Sequence, residues 1–447
     1  MKRKINILVL FVVLSIAGCY SQNPFITHIY AADPSGHVWP GDTTTLWLYT
    51  SHDVPGNNHH ATMFDYHVFS TQDLVNWTDY GRVLSVDDVD WAIDYAWAID
   101  AVYRHGNYYL IFCMHDETGI FRTGVAISDV PQGPFTNIGC IKGVDWGQDP
   151  AVFVDDDGKA YLYWGSGGNC EAAELNDDLL SIKPETKVNL KNQLFEVFEG
   201  PWVHKYQGHY YLSYPGLAKG EWPEEMNYAI SDKPLGPYKY QGKYIPKFEG
   251  QAGTNHGSIV LYKNKWIAFH HSAMVSEGNG SARSLMADYL TYNPDGTIKP
   301  IVPDPQGISK GKPATCTIYL EAENAPAAGG KLVKTQVEST LAGFFGKGYV
   351  AGFDKRFDYV QVLVQVGKDM KARLKMRYSA DEDFSADILV GVLMLDGWNG
   401  TKIKKTNGWE EIDLGDVQLK AGDNLIRINS YTNVSLKIDC FKIEPKN

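Results

Sequence analysis

Cysteine is scarce in this 447-residue chain, with six in all and no CxxC pair among them. That excludes a zinc ribbon or a disulfide-stapled scaffold as the organising device. Apart from Cys19, Cys113 sits inside YYLIFCM and reads as a buried thiol. Cys316 and Cys440 fall in the first and last strand-like runs of the C-terminal part, where an oxidising compartment would let them pair. Basic clusters are missing too. Lys and Arg number 41 against 53 Asp and Glu, for a formal charge of −12, which argues against nucleic acid as a partner. There is no GxSxG elbow, phosphate-cradling glycine loop or dinucleotide fingerprint, so no organic cofactor is expected. No stretch shows convincing helical periodicity, and after the N-terminus no apolar run reaches membrane-spanning length.

What is abundant is aromatic: 27 Tyr, 18 Phe and 12 Trp, beside 43 Gly. Short strands joined by turns give that balance, as does a surface built to meet sugar rings. At the start, Lys2, Arg3 and Lys4 precede INILVLFVVLSIA, the pattern of a secretory signal over residues 1–18. The run ends in Ile16-Ala17-Gly18-Cys19, which resembles the bacterial lipobox. Cys19 would then be lipidated, and the mature protein exported and anchored in the periplasm or at the cell surface. Membrane contact is expected only through that lipid; the oligomeric state is not legible.

One pattern recurs five times: a polar residue, a short apolar strand, a polar turn and an aromatic-rich strand. The polar heads are Asp33, Asp100, Asp149, Glu199 and His256, at intervals of 67, 49, 50 and 57. Turns such as Asp157-Gly158 and His105-Gly106-Asn107 are hairpin signals. A period near 50 with hairpins in each unit predicts an all-β, five-bladed propeller over residues 19–305. Heads in the same register of innermost strands would converge on one funnel. QGISKGKPAT marks a linker at 306–315. Residues 316–447 alternate strands and turns over a length typical of a β-sandwich (jelly-roll).

Asp33, Asp149 and Glu199 head three of the repeats, and both aspartates precede Pro. Glycoside hydrolysis uses such a set: a protonated carboxyl for the leaving oxygen and a carboxylate to activate water or attack. A third acid can raise the first one's pKa by like-charge repulsion. The same residues could instead cap turns and tie inner strands.

IYAADPSGHVW, AWAIDAVY, WGQDPAVFVDDDGKAYLYWG, FEGPWVHKYQGHYYLSYP and NHGSIV resemble glycoside hydrolase family 43, in order, from residue 23 to about 305. The resemblance implies a five-bladed propeller and inversion, with Asp33 as general base, Asp149 tuning and orienting the acid, and Glu199 as general acid. Inversion implies the Asp33 and Glu199 carboxyls lie roughly 6.5–9.5 Å apart. It also implies that His256 is the channel histidine near a Ca²⁺ or water, that Arg283 faces the sugar, and that Trp97 walls the pocket. Ile99 stands where the family has Pro. DYHVFSTQDLVNWTDYGRVLS looks most like arabinoxylan arabinofuranohydrolases. The expected action is removal of α-L-arabinofuranosyl or β-xylosyl groups from plant cell-wall polysaccharide. An endo-xylanase or β-xylosidase of the same family and a non-catalytic glycan-binding lipoprotein are the alternatives. His59-His60 and His270-His271 read as loop or channel-wall histidines.

TIYLEAENA, KGYVAGFDKRFDYVQVLVQV and LKIDCFKIEP resemble a family 6 carbohydrate-binding module. By that resemblance Tyr349 and Trp409 would sandwich a sugar. Glu321 and Glu323 share a strand face, and with Asp439 they would form a structural Ca²⁺ site. Lys437 replaces the Asn that many such modules place before the last-strand Asp.

Overall fold

A computed structural model describes residues 23–54, 60–308, 314–353, 355, 358–391, 393–395, 400–430 and 435–446. The expected signal segment, Cys19 and residues 309–313 of the expected linker lie outside the described residues. The chain is all-β. Among the described residues the only helices are single-turn 3-10 segments such as Val86–Asp88.

Five antiparallel sheets follow one another through the first 290 residues. Their opening strands are Tyr30–Trp39, Ile99–Arg104, Ala151–Val154, Trp202–Tyr206 and Ser258–Tyr262. Each opening strand packs beside the next, and Ser258–Tyr262 returns to Tyr30–Trp39, closing a ring. The polar heads therefore gather at one end of a central channel, as their shared register requires. Asp100 is the exception in use. Its carboxylate accepts from Ser35 Oγ at 2.7 Å and from the Val152 amide at 2.6 Å, lacing three opening strands together.

The side-chain period of two decides which sheets share a core. In Asn107–Asp116, Leu110 and Phe112 pack with Tyr66 and Val68 of the first sheet. Ile111, between them, packs with Leu162 and Trp164 of the third. In Ala160–Trp164, Tyr161 and Tyr163 turn the other way, toward Leu212 and Tyr214 of the fourth. A strand buried on both faces reads as an unbroken apolar run, which is why YYLIFCM and AYLYW lack polar alternation.

The remaining strands form two sheets around a separate core. One carries Thr315–Glu321, Leu436–Pro445, Met370–Ala380 and Glu410–Leu419; the other carries Tyr359–Val366, Gly422–Ser430 and Phe384–Val390. Between them lie Leu320, Val362, Met376, Ile388, Ile428 and Phe441. Thr315–Glu321 also runs parallel to Asn76–Ser85, with Cys316 opposite Trp77 and Ile318 opposite Asp79. The first blade-like sheet thus continues into the C-terminal part. Cys316 and Cys440 do not pair; both thiols are free and buried. Cys440 stands opposite Glu321, five residues along the strand from Cys316, and five residues of strand span about 16 Å.

Trp77 is the keystone of this junction. It is almost wholly buried and stacks on Phe25 at 4.5 Å between ring centroids. Trp77→Ala is expected to lower stability by about 3–5 kcal/mol, read as a reduced urea midpoint in equilibrium unfolding.

Candidate active site

Asp33 and Asp149 share an unusual backbone. Their φ angles are 52° and 50°, in the left-handed region. Asp tolerates that region better than most residues, at a strain on the order of 1–3 kcal/mol. Each is followed by Pro, which disfavours the right-handed helical region in the residue before it. In Tyr30–Trp39 the pairing slips between Ala32 and Ser35, so Asp33 sits on a bulge that aims its carboxyl out of the ladder. Glu199 precedes Gly200, whose φ is 57°. A Cβ there would press on the Pro215 ring and on His256 Nδ1. The Gly200 amide donates to Asp149, tying two acids through one turn.

Asp33, Trp97, Asp149, Glu199, His256 and Arg283 all line one cavity of about 550 Å³. Six residues named from sequence, spread over 250 positions, meet at one place. Trp97 holds its wall position through Nε1, which donates to the His60 carbonyl at 3.1 Å. His256 lies with Nδ1 3.8 Å from Asp33 Oδ1.

The acids differ sharply in protonation. Burial pushes Asp33 up, but Arg283 overcomes this, helped by the Ser51 hydroxyl, and its pKa ends below the usual value. Arg283 Nη1 donates to Asp33 Oδ1 at 3.1 Å, and Ser51 Oγ donates to Oδ2 at 2.5 Å. Asp149 is driven well above the ordinary range by burial, then by the charges of Glu199 and Asp33. Glu199 is driven well above by burial, then by Glu224 and Asp33. The surroundings thus favour the ionised form of Asp33 and the protonated forms of Asp149 and Glu199. His271, pushed down to about 3 by burial and Arg283, is neutral; its Nδ1 accepts from the Asp33 amide at 3.2 Å.

Arg283 lines the cavity with its guanidinium held by protein groups. Its Nε and Nη2 grip Asp53 at 2.8 and 2.9 Å. Nη1 reaches Asp33 and Thr254 Oγ1, and Nη2 also reaches Met63 Sδ. A guanidinium has five N–H groups, and here all five have partners. The side chain lines the cavity, yet its fork is committed to protein.

Sequence reading missed two acids. Asp53 ends Asp42–Asp53 and is held far below the usual carboxylate range: burial opposes ionisation, and Arg283 outweighs it. Its only signal was a buried-looking strand ending in His-Asp. Glu224 follows Trp222-Pro223 and is fully buried. Its Oε2 accepts from the Asn255 amide at 2.6 Å, while Oε1 has no partner. Burial raises it to about 8. It occupies no repeat position, so periodicity could not find it.

The C-terminal residues lie apart from this cavity. Tyr349 is fully buried, and its hydroxyl bonds Thr340 Oγ1 at 2.8 Å. Its ring meets Trp409 edge-on, 5.2 Å between centroids at 66°. Two rings in contact at that angle leave no slot between parallel faces, so the expected sugar sandwich is not formed. Arg377 instead covers the Trp409 and Phe345 rings. Glu321 and Glu323 converge over Gly346, where a Cβ would overlap both carboxyls. Each keeps one buried oxygen without a partner. Burial and each other's charge push Glu321 up to about 10, and burial raises Glu323 to about 7. Asp439 is spent elsewhere: Oδ2 takes the Arg377 guanidinium and Oδ1 the Phe345 amide.

Glu224 supplies a stability test. A carboxyl whose pKa is 4.5 unfolded and about 8 folded binds more protons in the native state between those values, so folding weakens as pH rises across that window. Glu224→Gln is expected to flatten the fall in unfolding free energy between about pH 4.5 and 8, measured by denaturant titration at a series of pH values.

Comparison with known proteins bears on the chemistry. Residues 21–298 match Glycosyl hydrolases family 43. The chain is 37% identical over 332 residues to "Xylosidase/arabinosidase 43A" of Humicola insolens, covering 62% of this chain and 98% of that protein. It is similar to the crystal structure of CoXyl43, a β-xylosidase/α-arabinofuranosidase from a compost microbial metagenome in complex with xylotriose. That match has a TM-score of 0.56 and 35% identity, over 63% of this chain and 97% of the other. A Bacillus subtilis arabinoxylan arabinofuranohydrolase matches in fold along 95% of this chain and 98% of its own, with a TM-score of 0.58 and 23% identity. The matched segment runs through all five repeats and carries every acid that meets in the cavity: the chain belongs to glycosyl hydrolases family 43 and is a glycoside hydrolase acting on O-glycosyl bonds.

Proposed function

We propose that this enzyme removes α-L-arabinofuranosyl or β-xylosyl groups from plant cell-wall polysaccharide such as arabinoxylan, with inversion. The observation that carries the reading is that Asp33 and Glu199 share one cavity in opposed surroundings, the first paired with the Arg283 guanidinium and the Ser51 hydroxyl, the second buried among other acids. An ionised Asp33 accepts a proton from water as that water attacks the anomeric carbon. A protonated Glu199 donates to the leaving oxygen as the glycosidic bond breaks. Asp149 keeps Glu199 company as a second protonated acid and, through the Gly200 amide, fixes the turn that carries it. Arg283 positions Asp33 and keeps it charged. Trp97 supplies an apolar wall against a sugar face.

The ring of five sheets reads as a five-bladed propeller over residues 19–305, and residues 316–447 as a β-sandwich module. Two partnerless carboxyl oxygens on Glu321 and Glu323 suit a hard cation such as Ca²⁺; Asp439 would have to leave Arg377 to join them. His256, beside Asp33, would meet a channel cation only through water. A sugar bound by this module would need Trp409 exposed from under Arg377, or another surface. Export and lipid anchoring through Cys19 would place the enzyme at the periplasm or cell surface, where such polysaccharide is met.

Two measurements test the assignment. Monosaccharide release from wheat arabinoxylan, sugar-beet arabinan and xylo-oligosaccharides should fall about 10²–10⁴-fold in Glu199→Gln and Asp33→Ala. Equal release by the variants would remove the acid–base pair. In the second, Arg283→Lys loses the planar fork that grips Asp53 and Asp33 together. With the guanidinium contact to Asp33 lost, the Asp33 pKa rises, so the acidic limb of kcat/KM should move to higher pH, and by more than the basic limb, since Glu199 feels Arg283 only at longer range.

A further inference from the structure

On the second and third strands of the first sheet, another group of side chains converges without any part in the proposed reaction. His52 is the last residue but one of Asp42–Asp53, while Asp65 and His67 open Asp65–Thr71. All three are at least nine-tenths buried, at 3%, 5% and 3% exposure. One ligand atom from each lies within 4.8 Å of the other two. His52 Nδ1 stands 2.7 Å from Asp65 Oδ1, and His67 Nε2 stands 3.9 Å from the same oxygen. Arms of 2.0–2.1 Å to a tetrahedral ion set its ligands about 3.3 Å apart; the two spacings bracket that value.

Two further observations concern His67. Its Nε2 is buried and has no hydrogen-bond partner. Its other nitrogen, Nδ1, is 3.2 Å from Asp79 Oδ1, and Asp79 is itself fixed by His28 Nε2 at 2.7 Å and by the Gly81 amide at 2.8 Å. A carboxylate on one ring nitrogen fixes the tautomer and leaves a bare lone pair on the other, the arrangement that metal-ligating histidines show. Arg82 Nε, 3.4 Å from Asp65 Oδ2, steadies the carboxylate from outside.

We propose that His52, Asp65 and His67 bind a divalent d-block cation, zinc by donor set, with one water completing the shell. Two imidazole nitrogens and one carboxylate oxygen suit zinc better than calcium or magnesium, which take oxygen ligands. The ion's role is bracing. His52 precedes Asp53, which grips Arg283, and His67 is tied through Asp79 to the strand that pairs with Thr315–Glu321. One ion would fasten the strand end that carries Asp53 to the junction with the C-terminal part.

The test uses the full chain, stripped with chelator and reloaded with Zn²⁺ or Co²⁺. Mass-spectrometric metal analysis should find zinc retained after dialysis, and Co²⁺ should give the intense d–d absorption of a four-coordinate site. His67→Gln should lose both, while Glu321→Gln, in the C-terminal carboxylate pair, should keep both. Asp79→Asn should weaken zinc about 10–100-fold. Should His67→Gln fail to fold, anomalous diffraction at the zinc edge from wild-type crystals decides: a peak among His52, Asp65 and His67 supports the site. No retained zinc in wild type, unchanged zinc in a folded His67→Gln, or an anomalous peak elsewhere only would overturn it.

Discussion

The structure turns on a single guanidinium. Arg283 is the cation at the centre of the cavity's acids, and it is buried with two carboxylates on its fork. Its reach decides which acids can ionise. Asp53 and Asp33 lie on its nitrogens and are held charged. Asp149 and Glu199 lie beyond direct contact, where burial and the charge already present on Asp33 keep them protonated. An isolated buried carboxylate would be expensive; a buried pair with full hydrogen bonding is tolerable. In the proposed mechanism, the difference between base and acid is thus a difference in distance from one side chain, achieved with two residues of nearly the same chemistry.

The ring of opening strands makes that arrangement possible. Each head residue comes from a different sheet, so no stretch of chain has to fold back on itself to bring acids together. The closure is itself polar: Asp100 laces three strands, and Gly36 donates to Ser258 Oγ at 2.9 Å. Left-handed φ at Asp33 and Asp149 then lifts their carboxyls out of the ladders that Asp100 helps to hold. Strain at these two positions is borne by strands locked on both sides.

Much of this was legible because it repeats. Five heads at similar intervals gave the number of sheets, and convergence on a channel followed from register. Asp100 shows the limit of that logic. By residue type and position it is equivalent to Asp149, yet it lies inside a strand with its oxygens on backbone and Ser35, whereas Asp149 lies in the turn before one. Asp53 and Glu224 were invisible since neither occupies a repeat position; each matters through a partner far away in sequence. Tyr349 differs for a related reason: Val350 faces the core between the sheets, and on the opposite face the Tyr349 ring is covered by Trp409 and held by its hydroxyl on Thr340. Arg283 was found, but its grip on Asp53 and Asp33 was not, because a sequence does not record where five N–H groups go.

Neutron diffraction at neutral pH, on crystals exchanged into D₂O, tests the central claim most directly by locating the protons. The account predicts a deuteron on the Glu199 carboxyl, none on Asp33, and a fully deuterated Arg283 fork between Asp33 and Asp53. A deuteron on Asp33 with Glu199 bare would contradict it, since the residue beside the guanidinium would then be the acid and the one beyond it the base.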